Sequence, residues 1–222
     1  MSYANGPKIV TDGLALYLDA GNSKSYPGSG NTWYDLKSSY NATVAGGSPT
    51  YSSINGGVLT FNGTSDYMLI PDPGSLGNFT ISCWVYPLLS STGGAPSIIA
   101  SVYPSKVNFQ ITYFNNQTVY AGIYNAGWAL TSNVSASQGW QNLVLTYNGS
   151  SMILYRNTVA IANVSTSISA QSSGSGIRIG RRWDSGNYFN GYISSVKIYN
   201  TALPADKVSQ NYNALKGRFG LS

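Results

Sequence analysis

Two aromatic, amide-rich stretches and three loop aspartates are the residues of this sequence best equipped for chemistry. RRWDSGNYFN, residues 181–190, sets Trp183 and Tyr188 in a polar run with Asp184, Asn187 and Asn190. SYPGSGNTWYD, residues 25–35, sets Tyr26, Trp33 and Tyr34 near Asn31. Aromatic rings take the C–H faces of sugars and planar amides bond to their hydroxyls. Each stretch therefore reads as the rim of a glycan site, built on Trp183, Tyr188 and Asn187 or on Tyr26 and Trp33. The alternative for both tryptophans is packing, since an indole buries a large area and can plug the end of a β-sandwich. Asp66 in NGTSDY, Asp72 in PDPG and Asp184 in WDSGN lie in loops. Calcium, a hard ion that takes carboxylate and carbonyl oxygens, is the one cofactor such loops would suit. Asp66 and Asp184 are its candidate ligands, because their surroundings are rich in Gly and Asn. There is no Asp-x-Asp run, and an Asp that accepts bonds from its own turn amides produces the same pattern.

What is missing narrows the chemistry further. The chain has no His, and its seven acidic residues are all aspartates: Asp12, Asp19, Asp35, Asp66, Asp72, Asp184 and Asp206. Without an imidazole, a Ser-His-Asp or Cys-His device cannot be assembled. His-based zinc or iron sites are excluded in the same way. Glycoside hydrolysis needs two carboxyl groups at a set separation, which here would have to be two aspartates. The composition as a whole argues for a protein that is not an enzyme.

Net charge is +5, with the basic residues scattered except for Arg178, Arg181 and Arg182. Nucleic-acid binding relies on a dense basic face, so no nucleic-acid partner is expected. The single cysteine, Cys83, has no partner for an internal disulfide. MSYANGPKIV lacks the basic and apolar regions of a signal peptide, and no apolar run is long enough to cross a bilayer. The expectation is a chain made in a cytosol and kept soluble, with no membrane partner.

The elements that must position these residues are strands. Only 9% of residues are charged, against about 25% in a typical domain, and Ser, Thr, Asn, Gly and Tyr take the place of charge. Period-2 alternation recurs. In LALYLD, Leu14, Leu16 and Leu18 share a face. In NFTISCWVY, residues 78–86, Phe79, Ile81, Cys83 and Val85 oppose Thr80, Ser82, Trp84 and Tyr86, so Cys83 belongs to an apolar row and reads as an inert thiol. VNFQITYF sets Val107, Phe109, Ile111 and Tyr113 against Asn108, Gln110 and Thr112. Turns follow at Asn115-Asn116, Asn148-Gly149 and Arg156-Asn157, and the spacing predicts a run of antiparallel strands over residues 107–164. STSISAQSSGSG, residues 165–176, reads as a surface loop. In GYISSVKIYNTALPADK, Val196 and Ile198 share a face that Ile193 does not, which predicts a bulge or a strand covered on both sides. Pro204 suits a first helical turn. Val208, Tyr212 and Leu215 form an apolar stripe, and Gly217 suits the helix end.

The chain resembles the laminin-G-like domains of the concanavalin A-like jelly-roll class. IGRR with FNGYISSVKIYNTALPADKVSQNYNALKGRF is similar to their closing strand, turn and helix. FNGTSDYMLIP, NFTISCWVYP and WQNLVLTYNGSSMILYRN are similar to their early strand pair, Trp-containing central strand and Trp-to-hairpin segment. With DGLALYLDAGNSKSYPGSGNTWYDL near the start, the likeness spans most of residues 12–219. It departs at Ser194 and Ser195, where many relatives are acidic, and at Pro204, where they carry Ser or Thr. The resemblance implies an all-β fold: one domain over residues 1–222, a two-sheet antiparallel jelly-roll sandwich with a short C-terminal helix. As the resemblance implies, hydrolases of this class display glutamates and its lyases commonly use His or Tyr with Arg; the absence of Glu and His weighs against catalysis here, while Tyr and Arg leave an unusual polysaccharide lyase as a further alternative.

The opening block more narrowly resembles stand-alone structural proteins of tailed bacteriophages. That implies a virion component, exposed on a capsid or on a tail or neck appendage, in contact with other virion proteins and adhering weakly to cell-surface glycans. Eighteen tyrosines suit such interfaces, including one with a second copy of the chain. Trp84 and Tyr86 would face a partner unless the C-terminal helix covers them. The competing function is a soluble carbohydrate-binding lectin module.

Overall fold

The computed structural model describes residues 7–88, 94–103, 106–114, 118–124, 128–167, 174–184 and 186–222. Among them the chain forms strands β1 (Leu14–Asp19), β2 (Thr32–Trp33), β3 (Ala42–Gly46), β4 (Thr50–Ser52), β5 (Val58–Asn62), β6 (Tyr67–Ile70), β7 (Phe79–Pro87) and β8 (Ser97–Tyr103). The series continues with β9 (Lys106–Phe114), β10 (Thr118–Tyr124), β11 (Trp128–Ser135), β12 (Gln141–Tyr147), β13 (Ser151–Arg156), β14 (Val159–Ser165), β15 (Ile177–Ile179) and β16 (Asn190–Tyr199). One α-helix, α1 (Ala205–Leu215), follows. The first sheet runs β14-β13-β12-β7-β16-β5-β4, with β1 also against β16, and the second runs β11-β10-β9-β8-β15-β6-β3-β2. Together they form the two-sheet antiparallel sandwich with a short C-terminal helix that the sequence predicts.

Alternation builds the core between the sheets. Phe79, Ile81, Cys83 and Val85 from β7 meet Phe109, Ile111 and Tyr113 from β9 in one continuous buried cluster. Burial pushes the Cys83 thiol up to about 12, so at neutral pH it is an apolar filler. Two bulges adjust the pattern. A register shift between Leu14 and Leu16 leaves Leu16 and Leu18 in this core but turns Leu14 to the opposite face of the sheet. A second, between Ile193 and Ser195, brings Ile193 into line with Val196 and Ile198. The predicted run over 107–164 divides: β9–β11 belong to the second sheet and β12–β14 to the first. Its Asn148-Gly149 turn is a three-residue loop in which Gly149, at φ 91°, takes the left-handed region, while Asn148 Oδ1 accepts the amides of Ser150 and Ser151. At the next turn Asn157 itself adopts φ 61°. The Asn115-Asn116 turn and residues 168–173 of the 165–176 loop lie outside the described residues.

The outer face of the first sheet is covered. Pro204 stands at the N-cap, one residue before α1, and its carbonyl receives the Lys207 and Val208 amides at 3.0 Å. The helix does not end at Gly217. It tightens into a 3-10 turn over Lys216–Phe219 that closes at Gly220, φ 68°. Trp84 is 1% exposed, stacked on Phe219 at 4.2 Å and on Tyr212 at 5.5 Å, so the helix and not a partner covers it. Tyr86 is half-buried against Trp140 and Tyr192. The segment before β1 is tied to the same face, where Asn211 Oδ1 accepts the Val10 amide at 2.8 Å and Gln210 Nε2 donates to the Lys8 carbonyl at 2.8 Å.

Beneath this cover lies a buried charge. Lys197 is 1% exposed; its Nζ donates to Ser195 Oγ at 3.0 Å and faces the Tyr17 ring at 4.5 Å. Burial, partly offset by Asp19, lowers the amine to about 8. A lysine depressed in the fold carries its full penalty below that pH, and the penalty is relieved as pH rises toward the unfolded value. Stability is therefore expected to rise by about 1 kcal/mol between pH 7 and 9. Above about pH 10 the trend reverses, because burial raises the phenols of Tyr17, Tyr113 and Tyr199 and only the unfolded chain ionises there. Urea midpoints across this range test it. Lys197→Met should abolish the rise, and a rise that persists in that variant would exclude Lys197 as its source.

Candidate functional site

Among the described residues, no helix covers the outer face of the second sheet. Strand parity decides which side chains reach it. Ile177 and Ile179, Met68 and Ile70, Phe109, Ile111 and Tyr113, and Val119, Ala121 and Ile123 all enter the core. Their alternates therefore face outward: Arg178; Tyr67 and Leu69; Gln110, Thr112 and Phe114; Tyr120 and Gly122. Register aligns Gly122, Gln110, Ala100, Arg178 and Leu69 in one row across five strands.

The segment after β15 folds onto this face as a hairpin. The Phe189 amide donates to the Gly180 carbonyl at 2.8 Å, the Arg182 amide donates to the Asn187 carbonyl at 2.9 Å, and Arg181 bridges Tyr188. Gly180 holds φ 85° where an added Cβ would run into the Phe61 ring, so only glycine makes this corner. Asn187 Oδ1 accepts the Ala95 amide at 2.8 Å and pins the tip to the strand that begins β8. From the sheet, Arg178 Nη1 donates to the carbonyls of Trp183 and Arg182. Trp183 is left 37% exposed with the Arg182 guanidinium 5.7 Å from its ring. The Arg181 guanidinium sits 4.8 Å from the Tyr67 ring and 5.2 Å from the Tyr188 ring. Phe114, 48% exposed, tilts against Tyr120 at 6.2 Å. The face thus presents exposed rings with guanidinium groups between them.

Electrostatics follow from these contacts. Burial pushes the Asp184 carboxyl up, but hydrogen bonds from Arg182 and Asn187 and the Arg182 charge more than offset this and hold it below the usual carboxylate range. The bond to Asp184 in turn raises Arg182. Arg178 is lowered, by burial first and by the neighbouring Arg181 charge second. Burial raises the Tyr120 phenol, which lies against Arg182. Beneath, Gln110 is fully buried, and neither its amide nitrogen nor its oxygen finds a partner of full hydrogen-bond geometry, although the Tyr120 hydroxyl approaches. An unpaired buried amide costs about 1–3 kcal/mol.

Of the residues singled out in the sequence, Trp183, Asp184, Asn187 and Tyr188 converge here. Tyr26 and Trp33 do not form a binding rim. Trp33 is 0% exposed, placed in the core by the pairing of β2 with β3 opposite Ala42. Tyr26 is 4% exposed, stacked on Tyr51 with its hydroxyl donating to the Gly30 carbonyl at 2.8 Å. The exposed aromatic of that loop is Tyr34. The calcium ligands are corrected as well. Asp66 is 4% exposed, one carboxylate oxygen accepting the Ser48 amide at 2.8 Å and the other the Asn62 amide at 3.0 Å. Asp184 is taken by Arg182 and Asn187. Oxygens already engaged by N–H donors, beside three arginines, do not fit a hard cation. Phe114, Tyr120, Gln110, Arg178 and Tyr67 escaped the sequence reading. Phe114 was the detectable one, since it continues the row of Asn108, Gln110 and Thr112.

A family model described as Concanavalin A-like lectin/glucanases superfamily, of the laminin G type, matches residues 62–209, well over half of the chain. The chain belongs to this superfamily. No curated protein matches this lectin/glucanase-type domain at a significant level. Among solved structures, it is similar to Domain 4 of AbnA, a GH43 extracellular arabinanase from Geobacillus stearothermophilus solved in complex with arabinotriose. That likeness has a TM-score of 0.69 at 18% identity and covers 90% of this chain and 98% of that one. It is also similar to Trypanosoma rangeli sialidase, with a TM-score of 0.71 at 14% identity, covering 97% of this chain and 36% of that one. The domain therefore spans little more than a third of the sialidase. At these identities the likeness is one of fold.

Proposed function

We propose that this concanavalin A-like domain is a non-catalytic carbohydrate-binding module whose sugar surface is the outer face of the second sheet. The observation that carries the reading is Trp183. Among the described residues it is one of few large apolar side chains left exposed, on a hairpin pinned from both sides and on the sheet face that none of their helices covers. A rigid, accessible indole gives a sugar ring an apolar platform at small entropic cost. The Arg182 guanidinium beside it supplies hydrogen bonds. The fold shared with a domain solved with arabinotriose supports the same reading. Absence of His and Glu supports binding without bond cleavage.

A glycan array followed by titration of the best ligand tests the proposal. Trp183→Ala is expected to weaken binding roughly ten- to a hundredfold with little change in the unfolding midpoint. Gln110→Leu, beneath the face, should raise the midpoint and leave binding in place, because it removes a buried unpaired amide that no ligand reaches. No binding to any glycan, or full affinity in Trp183→Ala, would refute the assignment. Product release from polysaccharides would refute the non-catalytic part.

A narrower reading places the module on a bacteriophage particle, where weak glycan adhesion would serve attachment to a host. It is supported by the opening block, DGLALYLDAGNSKSYPGSGNTWYDL. Mass spectrometry of purified particles tests it, and absence of the chain from every particle would remove it.

A further inference from the structure

The sugar face holds more positive charge than its own residues neutralise. Among the described residues the ion pairs are Arg182 with Asp184, Lys207 with Asp206 and Arg218 with Asp19. Arg178 and Arg181 enter none of them. Arg178 spends Nη1 on two backbone carbonyls, and Arg181 spends Nε on the Asp184 carbonyl at 3.2 Å. The Nε and Nη2 of Arg178 and both terminal nitrogens of Arg181 have no hydrogen-bond partner among the described residues. Both guanidinium groups reach the same hairpin end, Arg178 at the Trp183 carbonyl and Arg181 at the carbonyl of the next residue, Asp184. The Arg181 guanidinium lies over the Tyr67 and Tyr188 rings, themselves 6.2 Å apart, and ring faces hold it without satisfying its donors.

Two like charges held together, partly desolvated and short of acceptors, are poorly matched to a neutral ligand. They suit a planar anion that accepts two parallel N–H bonds. We propose that the sugar recognised on this face carries a carboxylate, as a uronic acid does, with the carboxylate held by Arg178 and Arg181 while a ring of the saccharide rests on Trp183. This rests on the carbohydrate-binding reading above and assigns its ligand class. A nucleic-acid backbone is a poorer match, because the basic cluster is confined to three arginines on one strand and hairpin and one of them is already neutralised by Asp184.

Calorimetric titration at low salt tests the assignment with four probes: an oligogalacturonate, the same oligomer after carboxyl reduction, a sulfated galactan and a single-stranded oligodeoxynucleotide. The oligogalacturonate is expected to bind at least about tenfold more tightly than its reduced form. Arg181→Gln should erase that difference, bringing the affinity for the oligogalacturonate down to that for its reduced form. Arg181→Lys, which keeps the charge and loses the fork, should restore only part of it. Arg178→Gln should act like Arg181→Gln, but Arg178 also anchors the hairpin, so the Arg181 variants decide if that protein unfolds. Equal affinity for the charged and reduced oligomers would overturn the carboxylate assignment while leaving sugar binding intact. Binding of neither oligomer, with the other glycans also silent, would overturn both. Sulfated galactan or oligodeoxynucleotide bound as tightly as the uronate would show a general polyanion site and overturn the assignment.

Discussion

Arg218→Ala is expected to unfold roughly 10 °C below the unaltered protein, a loss of about 3–5 kcal/mol. The side chain reaches back from the 3-10 turn after α1 and ties four parts of the first sheet together. Its Nη1 pairs with Asp19 at 2.6 Å, its Nε donates to the Asn55 carbonyl at 2.6 Å, and its Nη2 donates to the Gly57 carbonyl at 2.6 Å and to Ser194 Oγ at 2.7 Å. The side chains of Arg218 and Asp19 are only 17% and 9% exposed. Removing the guanidinium strands the Asp19 carboxylate and the carbonyls out of reach of water, and breaking one side of a buried pair is far more costly than never forming it. Arg218→Lys should recover little, since one ammonium cannot span acceptors set in different directions. Calorimetric melts decide the matter. A shift of less than about 2 °C would mean that these bonds are replaced by water at no net loss.

Trp84→Ala is expected to cost a similar 3–5 kcal/mol, through a different mechanism. Its indole fills the space between β7 and the C-terminal segment, stacked on Phe219 and Tyr212 with Trp140 alongside Phe219 at 4.5 Å. Truncation leaves a cavity that a sheet strand cannot collapse into, and it removes the surface on which Phe219 rests. The chemical-denaturation midpoint should fall, and amide exchange should quicken in α1 before it quickens in β9 or β10. Because Trp84 and the proposed sugar face lie on different sheets, the folded variant should keep whatever glycan affinity the unaltered protein shows. Uniform loss of exchange protection, without priority for α1, would show that the helix is not held chiefly by this stack. Phe219→Ala combined with Trp84→Ala should cost less than the sum of the two, because they share one contact.

How much of this was legible beforehand depends on the distance over which each feature is encoded. Alternation in NFTISCWVY, VNFQITYF and WQNLVLTY marks β7, β9 and β12, because period 2 is a local property of the chain. The position of a strand within a sheet is not local. Nothing in WQNLVLTY says that β12 leaves the sheet of β9 for the other one. A bulge is equally silent: Leu14 shares parity with Leu16 and Leu18 in the sequence but not in the structure, since one extra residue reverses the face. The site divides along the same line. Trp183, Asp184, Asn187 and Tyr188 were visible together because they occupy one hairpin. Tyr67, Gln110, Phe114, Tyr120 and Arg178 come from four strands and meet only through register. Trp33 and Trp183 sit in similarly polar stretches. What separates them is that β2 pairs opposite small Ala42, which leaves room for an indole in the core, while Trp183 has no strand to carry it inward. Lys197 looks solvated by parity, and its burial against the Tyr17 ring, on a strand near the start of the chain, is a tertiary contact that parity does not carry.

The segment at Lys8–Val10 and the turn at Lys216–Phe219 are both fastened to the first sheet's outer surface, the side away from Trp183. The aromatic and arginine groups therefore lie on the face opposite the one that holds residues 8–10 and 216–219, and a surface that gripped the domain by those two segments would leave them turned outward.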